Sequence, residues 1–353
     1  MNERLAVGID LGGTNLKAAL VDREGRVVAE ISCPTQAEQG PDHVIDRIVA
    51  LAAELSDRAG VNHSEIVGAG IGSPGPMNLE KGTIIKAANL PGWKNVPLRD
   101  RLRDRLNCRV ILENDANAAA YGEYWVGAGR DNPDFVLLTL GTGVGCGVVL
   151  NGEILHGHFD NAAELGHMIV VLNGLECPCG QRGCLEQYAS ASAVTRRVAD
   201  AIRAASGSER SVASGLVPGA TVGQVSDLPI SSVGCVPDAP SFLPQTPAID
   251  ARIVAEHAAR GDPLCCKVWD EACLYLAIAC ITIQHAYNPA TVALGGGMSE
   301  AGDFLLEPVR RHLRAQRWNL HDDVPQVVLS KLGLDAGVIG AAGLAWHRRT
   351  DHP

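Results

Sequence analysis

Three cysteines stand within eight positions of "ECPCGQRGCLEQ" (176–187): Cys177, Cys179 and Cys184. Such thiols have four uses: a disulfide knot, a redox pair, a metal site or plain buried packing. A redox dithiol wants C-x-x-C near a helix start, and the pair here is C-x-C. A disulfide is disfavoured in a long chain whose first residues, "MNERLAVGID", show no secretion signal. Adding His167 gives a Cys₃His set with spacings of ten, two and five, suited to tetrahedral zinc. Gly180 and Gly183 let the loop fold tightly around an ion. Four protein ligands leave no open position for water, so the zinc is expected to be structural. The second ring nitrogen of His167 then stays available for another partner, with the metal fixing the ring.

A second group of residues could move a proton. "LENDANAAAYGE" (112–123) places Asn114 and Asp115 where a strand meets a helix. One of the two suffices as the helix N-cap. The other is free to act, and Asp115 is expected to be a general base that accepts a hydroxyl proton during phosphoryl transfer. "NAAELGHMIV" (161–170) adds Glu164 three positions before His167, and Glu186 follows the last cysteine.

Elements must position these groups. "LAVGIDL" (5–11), "KAALVD" (17–22) and "RVVAEISCP" (26–34) read as a strand meander, and 41–59 carries a helical apolar period. "IVGAGIGSP" and "CRVILENDA" read as further buried strands. "DFVLLTLGTGVGCGVVLNGEIL" (134–155) repeats the opening layout, which predicts two related α/β halves facing each other. Helices are expected over 246–262, 264–287 and the C-terminal "LDAGVIGAAGLAWHRR". Residues 206–247, rich in Ser, Gly, Pro and Val, read as a mobile surface insertion.

Three strands end in glycines: "DLGGTNLK" (10–17), "TLGTGVGCG" (139–147) and "ALGGGMSEAG" (293–302). Glycine lets backbone N–H groups point at anionic oxygens. Neither the Walker A nor the GxGxxG pattern is met. Asp10, at a strand end, could hold Mg²⁺ through water. Thr14 and Thr142 place hydroxyls in two of the turns. Lys17, on the strand leaving the first turn, could assist there, although a lysine in that place is more often simply solvated. Cys108, Cys146, Cys273 and Cys280 look like core thiols.

"GIDLGGTNLKAALVD", "LTLGTGVGCGVVLNG" and "ALGGGMSEAGD" resemble the phosphate and adenosine motifs of the superfamily of sugar kinases, heat-shock chaperones and actin. In particular they resemble the ROK family (repressors, open reading frames, kinases), over essentially the whole chain except 206–247. The resemblance implies a two-domain actin-like ATPase (ribonuclease H-like) α/β fold with ATP in the interdomain cleft. Gly12, Gly13, Thr14, Lys17, Gly141, Thr142 and Gly143 would then serve the phosphates, and Gly295, Gly296 and Gly297 the adenosine. By the same resemblance Asp115 is the base, and Asn114, Glu164, His167 and Glu186 bind the sugar. Asn89 borders the pocket in "AANLPGWKNVPLRDRL". The cysteine segment matches the family's zinc motif, CxCGxxGCxE, residue by residue.

The implied reaction is transfer of the γ-phosphate of ATP to the 6-hydroxyl of a hexose. N-acetylmannosamine, N-acetylglucosamine, fructose and allose kinases share most of the motifs, while "ANLPGWKNVPL" with "CLEQYAS" points to glucose. Polyphosphate is an alternative donor. A sugar-responsive repressor would need a helix-turn-helix before the first strand, where only Met1–Leu5 stand, and an actin-like filament would not need the zinc set or the Asn-Asp pair. The net charge of −10 argues against nucleic-acid partners. No apolar run reaches the ~18 residues of a membrane span. The expected organisation is a small domain over 1–115 plus a helix near 335–353, and a large domain over 116–334. The expected setting is a cytoplasmic homodimer or homotetramer that closes on its substrates.

Overall fold

The structure is a computed structural model and describes residues 4–87, 89–205, 249–316 and 325–348. The expected insertion over 206–247 lies outside the described residues. The chain opens with three antiparallel strands, β1 (Leu5–Leu11), β2 (Asn15–Val21) and β3 (Val27–Pro34). Edge strand β3 alternates half-buried and exposed residues, the period-2 pattern of one covered face, whereas β1 is buried on both sides. Helix α1 (Pro41–Ala59) starts on Pro41 and ends on Gly60 at φ 66°, and buries Val44, Ile45, Ile48, Leu51 and Leu55. Strand β4 (Ile66–Ser73) then pairs parallel with β1.

A small antiparallel sheet follows, of β5 (Met77–Asn78), β6 (Thr83–Lys86) and β7 (Lys94–Val96). After α2 (Leu98–Leu106), β8 (Val110–Asn114) completes the first sheet in the order β3-β2-β1-β4-β8. Helix α3 (Asp115–Val126) leads to a second meander, β9 (Phe135–Leu140), β10 (Val144–Leu150) and β11 (Glu153–Ile154). Short α4 (Glu186–Ala189), α5 (Ala191–Ala205), α6 (Ala251–Ala259) and α7 (Pro263–Tyr287) come next. Asp250 and Asp262 cap α6 and α7 through side-chain bonds to Ile253 and Cys265 N–H. β12 (Thr291–Gly295), α8 (Asp303–Gln316), β13 (Gln326–Leu329) and α9 (Ala336–His347) finish the chain.

The second sheet reads β11-β10-β9-β12-β13, with β9, β12 and β13 parallel. The two sheets thus share one topology, a meander extended by two parallel strands, as the repeated layout predicts. Helices α3 and α9 lie between the sheets, and their Ala119, Ala120, Ala336 and Leu344 share a core with Ile111, Phe135, Leu137 and Ala293. Backbone meets backbone there. A side-chain carbon on Gly340 would stand 1.7 Å from the Ala118 carbonyl oxygen, and one on Gly122 2.4 Å from that of Ala336. Against the first sheet, Gly8 and Gly70 would clash likewise with Val338 and Ala341 carbonyl oxygens at 2.0 and 1.8 Å. Only hydrogen fits at these crossings.

A core of Trp269, Leu276, Ile283, Leu305 and neighbours fills the outer face of the second sheet. Cys146, Cys273 and Cys280 are buried in it as expected, but Cys108 is only half-buried at the edge of the first core, where α2 has just ended. Among the described residues no helix is long and apolar enough to cross a membrane.

Candidate active site

Strand β8 runs straight into α3. Asn114 keeps extended backbone and caps the helix, its Oδ1 accepting from Ala116 N–H at 2.9 Å and Asn117 N–H at 3.2 Å. Asp115 is therefore the first helical residue. Its Oδ1 accepts from Ala116 N–H at 2.8 Å, which fixes the carboxyl plane. Burial pushes this carboxyl above its ordinary range, and hydrogen bonds from Ala116, from its own N–H and from Asn114 draw it back. A raised carboxylate is the stronger base.

Asp10 shares a cavity of about 200 Å³ with Asp115. Burial, and then the Asp115 charge, push Asp10 up to about 6, while Lys17 pulls it down. Two carboxyls facing one space favour a divalent cation between charges. Lys17 is engaged by two carboxylates: its Nζ lies 2.8 Å from Glu30 and 2.5 Å from Asp335, tying β2 to the start of α9.

Gly295 and Gly296 form the opposite wall of the cavity. Gly296 has φ 78°, and a side-chain carbon there would stand 2.7 Å from the Leu140 backbone. Gly297 starts the next turn in open space and does not line the cavity. Gly12, Gly13 and Thr14 form the hairpin turn between β1 and β2, and Gly141, Thr142 and Gly143 the turn between β9 and β10. Both threonines are exposed at their tips. Asn89 lies over the first turn, its Cβ 2.8 Å from where a side-chain carbon on Gly13 would sit.

The second turn gathers the remaining acids. Glu186 Oε2 accepts from Val144 N–H at 3.1 Å and occupies the space that a side chain at Gly143 would need. Gly166 packs on the Val144 carbonyl, which brings the turn holding Glu164 and His167 to the same hairpin. Partial burial raises the Glu164 carboxyl; His167 pulls it down, and Asp115 and Glu186 push it up. Asp115 thus lines the cavity and also lies close enough to Glu164 for its charge to act there, alongside those of His167 and Glu186.

His167, Cys177, Cys179 and Cys184 converge behind that cluster, their ligand atoms all within 4.8 Å of one another. His167 Nδ1 is 3.6 Å from Cys177 Sγ, and Cys179 Sγ is 3.7 Å from Cys184 Sγ. Tetrahedral zinc with Zn–S of about 2.3 Å and Zn–N of about 2.0 Å has edges of about 3.6–3.8 Å, so the ion fits. Among the described residues every cysteine is a free thiol. Burial and crowding by the other two sulfurs push Cys184 up to about 12, and a cation is what ionises such a thiol. Gln187 Nε2 also reaches Cys177 Sγ at 3.6 Å, a contact that the sequence did not signal.

The sequence profile of the ROK family matches residues 6–348. The chain belongs to the ROK family. Its ROK relatives include the glucokinase of Halalkalibacterium halodurans, 35% identical over 348 residues, covering 98% of this chain and 96% of that one. The glucokinase of Thermotoga maritima is 36% identical over 342 residues, 97% of each chain. Among solved structures, the ROK family glucokinase of Streptomyces griseus in complex with glucose and AMPPNP matches with TM-score 0.73 and 32% identity, covering 98% of this chain and 100% of that one. The actin-like fold expected of a ROK protein is thereby established.

Wall residues that sequence reading missed include Thr139, Ser330, Leu334 and Gly337. Gly337 packs on Asp10, a side-chain carbon there standing 2.9 Å from Oδ2. "SKLGLDAG", a glycine turn opening a helix, was the available signal for three of them.

Proposed function

We propose that this protein is an ATP-dependent hexose kinase that transfers the γ-phosphate of ATP to the 6-hydroxyl of glucose. The observation that carries this is Asp115, a half-buried carboxyl that lines a cavity with Gly295 and Gly296 and whose charge reaches Glu164, the carboxyl that also feels His167 and Glu186. The kinships to glucokinases support the same assignment.

On this reading ATP lies in the cavity, its adenosine toward Gly295 and Gly296 and its phosphates toward the two hairpin turns. Gly12 and Gly141 N–H close their own turns onto the Asn15 and Gly143 carbonyls at 2.9 and 3.0 Å, which leaves the N–H groups of Gly13 and Gly143, with the Thr14 and Thr142 hydroxyls, for the phosphate oxygens. Asp10 would hold Mg²⁺, which supplies charge neutralisation at the phosphates. Lys17 acts at a distance, through the Asp10 field and its hold on Asp335.

Glucose sits against Asn89, Asn114, Glu164, His167 and Glu186. Vicinal hydroxyls need acceptors at fixed angles, and a missing one leaves a buried partner unpaired. Asn114 has Oδ1 committed to the cap, so its Nδ2 is the group offered to the sugar. His167 turns Nδ1 to the sulfurs, which leaves Nε2 for a hydroxyl. Asp115 takes the 6-hydroxyl proton as that oxygen attacks phosphorus. His167, Cys177, Cys179 and Cys184 would hold Zn²⁺, whose chemistry is to lock the loop carrying His167 and Glu186.

Residues 1–115 with 335–353 form one body on this reading and 116–334 the other, closing to exclude water. Assembly as a homodimer or homotetramer in the cytoplasm belongs to the same proposal. A coupled assay with ATP over hexoses and N-acetylhexosamines tests it. The highest kcat/KM is expected for glucose. A higher value for N-acetylmannosamine would overturn the sugar assignment, and no transfer to any sugar would overturn the kinase.

A further inference from the structure

Glu123 lies near the end of α3 and is fully buried, 0% exposed. Its Oε1 accepts from Leu332 N–H at 2.7 Å. Its Oε2 accepts from Ala128 N–H at 2.7 Å and Lys331 N–H at 3.1 Å. Among the described residues, three peptide N–H groups meet this buried carboxyl. Gly127 makes the space: a side-chain carbon there would stand 2.2 Å from Oε2.

Lys331 and Leu332 belong to the segment between β13 and α9. That segment lines the cavity before them with Ser330 and after them with Gly333 and Leu334. It has little core of its own, and Leu334 is 73% exposed. Its two middle N–H groups point inward and would be buried unpaired without an acceptor. A carboxylate bonds to such groups roughly twice as strongly as a neutral acceptor does.

The anchor sits on the helix whose first residue is Asp115. Glu123 stands eight positions after Asp115 on that helix, a rise of about 12 Å along its axis. We propose that Glu123 is a positioning residue for the nucleotide, holding the 330–335 segment as the floor of the cavity at a set distance from Asp115. The inference rests on reading that cavity as the ATP site.

Glu123→Gln keeps the shape and removes one acceptor oxygen. The expected result is a KM for ATP raised about tenfold, with the KM for glucose within about twofold. Amide hydrogen exchange over 330–335 should quicken while exchange in β12 stays unchanged. If both KM values rise together, or neither moves, the role is structural and the inference is overturned. Should Glu123→Gln not fold, Gly127→Ala crowds Oε2 with the carboxylate retained and is expected to give the same split; an equal effect on both substrates overturns it. A wild type that binds ATP while the variants show no split defeats this inference alone. A wild type that binds no ATP defeats the reading of the cavity, and this inference with it.

Discussion

Replacing Asp10 by asparagine should stabilise the ligand-free protein while destroying its activity. Burial and the neighbouring Asp115 push the Asp10 carboxyl from 3.8 up to about 6. A carboxyl raised in the folded state contributes stability that is fully present below pH 3.8 and lost as pH climbs through about 6. By about pH 7.5 the loss is about 3 kcal/mol, from about 1.4 kcal/mol for each tenfold change in proton affinity. Asparagine keeps the shape and never carries that charge. Urea unfolding, followed by tryptophan fluorescence without Mg²⁺ or nucleotide, should find Asp10→Asn more stable by up to about 3 kcal/mol at about pH 7.5. Near pH 4 the two proteins should agree. Mg·ATP should narrow the gap, because the ionised wild-type carboxylate gains a cation that the variant cannot hold. An Asp10→Asn protein less stable at neutral pH, or a gap that does not change between the two pH values, would refute the claim that this charge strains the empty site.

Asp115→Asn should lower kcat by about 10²–10⁴ and leave glucose binding by calorimetry intact; retained turnover removes Asp115 as the base. Cys184→Ala should bring the zinc content, read by mass spectrometry, close to zero and lower Tm. Chelation of the wild type, on protein that stays folded, should weaken glucose binding more than ATP binding, since His167 and Glu186 share the zinc loop; equal weakening would separate the metal from the sugar site. Glu164→Gln should raise the KM for glucose, because a carboxylate acceptor is lost, with the KM for ATP as the unaffected control.

The glycine turns, the doubled meander and the cluster of His167 with three cysteines were legible in the sequence because each is local: a run of residue types at fixed spacing. The choice of cap was not. Asn114 and Asp115 both favour that place, and only the extended backbone at Asn114 shows that it caps and leaves Asp115 facing the cavity. Lys17 gave a phosphate-side reading, yet its partners Glu30 and Asp335 come from distant parts of the chain. The β5–β7 sheet was missed because its strands are two to four residues long, too short for an alternating pattern to register. Thr139 looked like any strand residue, and its place on the cavity wall follows from the sheet register. Glu123 gave no signal at all, since its partners are peptide groups that any sequence possesses.

The crossing of α3 and α9 has a consequence for anyone wishing to harden this enzyme. Replacing helix glycines by alanine is a common route to thermal tolerance, gaining about 0.4–1 kcal/mol where the backbone permits it. At Gly122 and Gly340, and at Gly8 and Gly70 on the strands beneath, the added methyl would meet a carbonyl oxygen at 2.4 Å or closer. Backbone has no rotamer to yield, so no second substitution nearby can make room. Such a programme must leave these four positions untouched and look to the outer helices, because the joint has no clearance to give.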